Sequence, residues 1–131
     1  MVLDASALLV ILHREPGIEV VWALIESGAF MRAVNYAETL TRLAKVGVDP
    51  ANAHRQMVEA GLIGQLIEVV PFEEDDAIAA AALRPPTRRN GLSLGDRACL
   101  ALGRRPGRPV RTSDRAWAGI DAGVEILFIR E

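Results

Sequence analysis

Short apolar runs alternate with longer stretches of helical periodicity along this chain, and that alternation restricts its fold more than any other feature. Val2-Leu3, Ala29 to Val34, Leu66 to Val70, Val110-Arg111-Thr112 and Val124 to Ile129 read as five strands. Between them Ala5 to Leu12 is too continuously apolar for an alternating strand and reads as a buried helix. Ile18, Val21, Trp22 and Ile25 recur at helical spacing until Ser27-Gly28. The next helix is expected to start at Asn35-Tyr36-Ala37-Glu38, and another at Asp49-Pro50, with proline in its first turn. Glu73-Glu74-Asp75-Asp76 makes an acidic first turn for an alanine-rich helix to Leu83, and Arg84 to Gly91 reads as a Pro/Arg loop. Leu94, Ala98, Cys99 and Leu102 then form the apolar face of a helix with Asp96 in its first turn. Strands separated by helices imply an α/β fold with right-handed crossovers and a mainly parallel sheet. At 131 residues, one domain over 1–131 is expected. Such a domain buries about two thirds of its unfolded surface without help from a disulfide or structural metal.

Cys99, the only cysteine, lies among apolar helix positions and fits a buried thiol in a reducing cytoplasm. The N-terminal apolar stretch lacks a basic flank, is broken by Asp4 and ends at His13, so neither a signal peptide nor a transmembrane span is expected. The net charge of −2 conceals a segregation. Residues 1–83 carry five bases and twelve acids, a balance of −7, whereas residues 84–115 carry nine arginines against Asp96 and Asp114, a balance of +7. Lys45 is the sole lysine. Positive charge that is nearly all guanidinium suits bidentate phosphate contact, and it equally fits an arginine-biased codon usage.

In a parallel sheet covered by helices, functional groups gather beyond the carboxyl ends of the strands. Asp4, Glu38 and Asp114 each follow a predicted strand there, and Asp96 enters from the helix that precedes the Asp114 strand. Each acid also has a structural reading. Asp4 and Asp114 suit N-caps, Asp96 closes Ser93-Leu94-Gly95-Asp96, and Asn35 with Glu38 has the form of a capping box. Clustering four carboxylates is costly, since a like-charge pair about 4 Å apart at an effective dielectric of about 20 repels by about 4 kcal/mol. A divalent cation removes that cost. Oxygen ligands without histidine or thiolate select a hard ion, Mg²⁺ or Mn²⁺, over zinc.

Four segments carry a family resemblance: Leu3-Asp4-Ala5-Ser6-Ala7, Asn35-Tyr36-Ala37-Glu38, Leu92-Ser93-Leu94-Gly95-Asp96-Arg97 and Thr112-Ser113-Asp114-Arg115-Ala116-Trp117. In that order and spacing, over essentially the whole length, the chain resembles PIN-domain ribonucleases, and in particular the VapC-type toxins of bacterial toxin–antitoxin pairs. The resemblance implies a three-layer α/β/α PIN-like fold with a mainly parallel five-stranded sheet. It matches Asp4, Glu38, Asp96 and Asp114 to an acidic catalytic quartet, with Asp4, Asp96 and Asp114 on the metal. Ser6 and Thr112 match hydroxyl positions near it, and Asn35 a companion of Glu38. The implied activity is metal-assisted hydrolysis of structured RNA, tRNA or rRNA, by Mg²⁺ with Mn²⁺ as substitute, leaving a 5′-phosphate and a 3′-hydroxyl. The implied partners are a VapB-type antitoxin and a second copy of the chain, in the cytoplasm. Only Met1 to Leu3 precede Asp4, which leaves little first strand.

Arg88, Arg89, Arg97 and Arg115 are the candidate RNA contacts, the last two because each directly follows a site acid. Their alternative is salt bridging to the acidic helix that starts at Glu73. A catalytically degenerate RNA- or metal-binding module shares these features. An aspartate-nucleophile phosphatase built on Asp4 needs a second acid where this chain has Ser6, and both it and a receiver-like module need a late lysine, which is missing. His13 and His54 are not spaced as a ligand pair, Trp22 and Trp117 read as core or interface anchors, and Asp121 reads as a turn residue before Gly123.

Overall fold

The computed structural model describes residues 1–104, 107–112, 114, 117–120 and 123–129. Strand β1 (Val2–Leu3) leads into helices α1 (Ala5–Leu12) and α2 (Ile18–Glu26), β2 (Ala29–Arg32), α3 (Ala33–Lys45), α4 (Pro50–Glu59) and β3 (Ile67–Val70). Helices α5 (Glu74–Ala82), α6 (Arg84–Thr87) and α7 (Leu94–Arg104) follow, then β4 (Val110–Thr112) and β5 (Ile126–Phe128). The strands form one sheet in the order β3-β2-β1-β4-β5, and every pairing is parallel.

Because side chains alternate across a strand, the two residues of β1 serve opposite layers. Leu3 packs with Leu8, Ile25, Met31 and Ile67, and Val2 packs with Leu83, Leu100, Val110 and Trp117. Two apolar cores on the two faces of an all-parallel sheet make a three-layer α/β/α architecture. No helix among the described residues is long and apolar enough to cross a membrane.

The order of strands decides where a site can form. The first two crossovers run from β1 to β2 to β3, and the next connection carries the chain back past β1 to β4. The direction of winding therefore reverses between β1 and β4, and a crevice opens at the carboxyl ends of those two strands.

Several boundaries depart from expectation. Strand β2 stops at Arg32 rather than Val34, and α3 begins at Ala33, so Asn35 and Glu38 stand inside the helix and form no capping box. The strand is pinned at that point: the buried Arg32 guanidinium pairs with Asp76 at 3.0 Å and donates to the Pro71 carbonyl at 2.8 Å. Arg84 to Gly91 is not a loop. Pro85 and Pro86 occupy the first turn of α6, where a missing N–H costs nothing, the Thr87 hydroxyl donates to the Leu83 carbonyl at 2.5 Å, and Arg88–Asn90 continues as a 3-10 turn. Gly91, at φ 64°, ends that turn in the left-handed region. Strand β5 is confined to Ile126–Phe128 and β3 starts one residue later than expected. Asp121 and Arg115 lie outside the described residues, as do Ser113 and Ala116.

Candidate active site

Asp4 leaves β1 in extended conformation and becomes the N-cap of α1, its Oδ1 accepting the Ala7 N–H at 2.9 Å. The same oxygen accepts the Ser6 hydroxyl at 2.7 Å, and Oδ2 accepts the Thr112 hydroxyl at 2.5 Å from the end of the neighbouring strand β4. Thr112 in turn accepts the Asp114 backbone N–H at 2.9 Å. One hydroxyl thus ties the carboxyl ends of β1 and β4 together and sets the start of the chain that carries Asp114.

The other half of the crevice comes from α3 and α7. Asn35, buried in the first turn of α3, donates its amide to Glu38 Oε1 at 3.1 Å and to the Gly95 carbonyl at 2.8 Å. Ser93 and Asp96 cap α7 reciprocally: the Ser93 N–H reaches Asp96 Oδ2 and the Asp96 N–H reaches Ser93 Oγ, both at 3.1 Å. The expected capping role of Asp96 is real, and it leaves the second carboxylate oxygen outside the box.

The carboxylates sense one another. Burial raises the Asp4 pKa from 3.8 to about 6 against the lowering pull of its three donors, and the Asp96 charge adds to the rise. Glu38 is raised by burial and next by Asp96; Asp96 is raised by burial and also by the charge of Asp114. Asp96 is therefore the acid that links the other three. The Cys99 thiol, one turn further along α7 and fully buried, is pushed well up by burial and by Asp4, Asp96 and Glu38 together, so it stays protonated and inert.

Among the described residues no three acidic, histidine or cysteine side chains close into a ligand cage. The groups facing the crevice are carboxylates and hydroxyls. Mg²⁺ prefers such donors, dehydrates reluctantly and binds through few protein ligands while keeping waters. A hydrogen-bonded Asp4 held above its ordinary pKa by burial, with the Asp96 charge adding to the rise, fits such a cation, which would relieve both the desolvation and the repulsion.

The candidate arginines separate. Arg97 is turned by the helix to the side of α7, where it donates to the Ala80 carbonyl of α5 at 3.1 Å. Arg88 and Arg89 are exposed on the 3-10 turn that leads toward Ser93. The histidines and tryptophans serve structure: His13 ends α1, His54 Nδ1 lies 2.8 Å from the Tyr36 hydroxyl, and Trp117 is buried while Trp22 is 38% exposed beside α4. Gly95, packed against Asn35 and Glu38, is a contributor that the sequence reading did not single out. The signal for it was a glycine inside a helical pattern, where glycine is unfavourable.

The PIN domain family model matches residues 1–123. The chain belongs to the PIN domain family. Solved structures agree on the fold of this PIN domain. DNA-bound VapBC from Salmonella typhimurium is 20% identical with a TM-score of 0.71, over 98% of this chain and 96% of that one. FitAcB from Neisseria gonorrhoeae is 21% identical with a TM-score of 0.70, over 96% and 95%. VapBC-5 from Mycobacterium tuberculosis, of the VapBC family of toxin–antitoxin systems, is 24% identical with a TM-score of 0.60, over 99% and 97%. At these identities the likeness is one of fold. No curated protein matches the sequence.

Proposed function

We propose that this PIN domain, acting as a single unit over residues 1–131, is a Mg²⁺-dependent endoribonuclease and the VapC-type toxin of a toxin–antitoxin pair. The observation that carries the reading is the convergence of Asp4, Glu38 and Asp114 on Asp96 at the point where the sheet reverses its winding. Asp4, Asp96 and Asp114 would hold the cation, with Glu38 as the fourth catalytic acid, its charge beside Asp96 adding to the hold on the cation from outside the direct ligands. A cation held there would supply Lewis acidity, activating a water for in-line attack and offsetting the charge on the phosphorus. The protein's part is positioning. Ser6, Thr112 and the Ala7 N–H fix both oxygens of Asp4, Thr112 fixes the backbone of Asp114, and Asn35 orients Glu38. Lys45 ends α3, roughly 10 Å of helix beyond Glu38, and offers no support to a phosphoaspartate chemistry that needs a lysine at the phosphate.

Structured RNA, tRNA or rRNA, is the substrate class, held at its phosphates by Arg88 and Arg89. Arg115 joins them by its place in sequence, while Arg97 is engaged with α5. The cytoplasmic partners are a VapB-type antitoxin and a second copy of the toxin. An anionic crevice suits an inserted arginine from the antitoxin, which makes charge-assisted bonds to carboxylates. Incubation of purified protein with total tRNA and rRNA tests the reading. Cleavage is expected with Mg²⁺ or Mn²⁺, none in excess chelator, and none for Asp96→Asn, which keeps an oxygen for the Ser93 N–H and so keeps its fold. Full activity in chelator sinks the metal reading. RNA binding that survives without any cleavage makes the protein a degenerate binding module.

A further inference from the structure

Gly95 stands at the second position of α7, where glycine weakens a helix relative to alanine, and its φ is an ordinary one that demands no glycine. A packing reason explains it. A Cβ at Gly95 would overlap Oε1 of Glu38 and come within 2.5 Å of its Cδ and 2.9 Å of its Oε2. The Glu38 carboxylate thus rests on the bare Cα of Gly95. The Gly95 carbonyl meanwhile accepts the Asn35 amide that also donates to Glu38 Oε1.

We infer that Gly95 is a positioning residue: its bare Cα and its carbonyl form the seat that holds the Glu38 carboxylate beside Asp96, one residue away. The inference rests on the function proposed above. Its physical content is that the obstructing atoms belong to the far end of a flexible side chain rather than to backbone. Adding a methyl at residue 95 therefore displaces the carboxylate and leaves the fold. The helix itself gains by the exchange, so function and stability move in opposite directions.

The test titrates Mn²⁺ alone into metal-free wild type, Gly95→Ala, Glu38→Ala and the double variant, followed by electron paramagnetic resonance and by thermal melts. Wild type is expected to bind. Gly95→Ala is expected to melt at the same temperature or higher and to bind about 10- to 100-fold more weakly, the range typical of lost ligand positioning. In its background Glu38→Ala should change affinity no further, because the carboxylate has already left. Should Gly95→Ala fail to fold, Glu38→Ala must restore folding by emptying the contested space; failure of the double variant to fold overturns the inference. Wild-type affinity in Gly95→Ala, or losses that add in the double variant, also overturn it. A wild type that binds no Mn²⁺ overturns the metal reading itself, and this inference with it.

Discussion

Asp4 is held as a carboxylate by three donors and as a neutral acid by its burial, and burial wins: its pKa rises from 3.8 to about 6. A carboxyl raised on folding contributes stability that is present below its unfolded pKa and is lost as pH rises through its folded value. Two pH units correspond to about 3 kcal/mol, and at 4% exposure Asp4 needs no discount for solvent screening. In chelator, urea denaturation of wild type and Asp4→Asn should therefore diverge as pH rises from about 4 to about 7. The amide variant gains about 3 kcal/mol relative to wild type across that window, and saturating Mg²⁺ should narrow the gap at neutral pH by stabilising wild type alone. A difference independent of pH would mean that Asp4 is already ionised in the apo protein. Glu38 and Asp96 are raised by the same causes and act in the same direction, so single amide substitutions at those positions should follow Asp4→Asn in sign.

Among the elements, the end of β2 is tied to α5 by a buried ion pair immediately before α3 begins. Arg32 ends β2, is 1% exposed, pairs with Asp76 and lies 6.0 Å above the Phe72 ring. Asp76 also accepts the Glu73 N–H at 2.9 Å, closing the capping box of α5. Removing one partner of a buried pair leaves an uncompensated charge, so Asp76→Ala should cost about 3 to 5 kcal/mol in a denaturation experiment. The paired change Arg32→Met with Asp76→Leu should cost far less; equal losses would mean that the capping box, not the ion pair, dominates. Neither partner announced itself in the sequence, where Asp76 reads as one of four acids in a first turn. The four candidate acids could be picked out because Asp4, Glu38 and Asp114 each follow a predicted strand and Asp96 opens a helix with a local motif, and a mainly parallel sheet followed from the alternation of elements. Local reading failed at the start of α3, which begins at Ala33, two residues before the Asn35 motif and directly after the ion-paired Arg32, so that no Asn35–Glu38 box forms. Pro85-Pro86 looked like loop punctuation, yet proline fits a first helical turn.

At the scale of the whole molecule, α7 resolves the charge segregation into two ends of the sheet. Its first turn carries Asp96 at the site, and about 12 Å later along its axis it ends at Arg104 near the opposite edge. Arg108 belongs to that far edge too, stacked 4.1 Å above Phe30 and close enough to the Met1 amino group to lower its pKa, after burial. The basic segment therefore does not form one stripe. Arg88 and Arg89, exposed on the turn before α7, stand on the side of the acids, and Arg104 stands away from them. A substrate whose scissile phosphate enters an acidic crevice needs neighbouring cations to offset the repulsion of its other phosphates, and each phosphate contact releases counterions. If Arg88 and Arg89 supply those contacts, RNA affinity should fall steeply with salt. Arg88→Ala with Arg89→Ala should then reduce the slope of log K against log salt by about 0.7 per arginine on single-stranded RNA. The loss should be similar across RNA sequences, since phosphate contacts carry no base information, and the melting temperature should not move. Arg104→Ala, measured alongside, should leave the slope unchanged. A double variant with the wild-type slope would return Arg88 and Arg89 to solvated surface, and a reduced slope for Arg104→Ala would place RNA across both ends of α7.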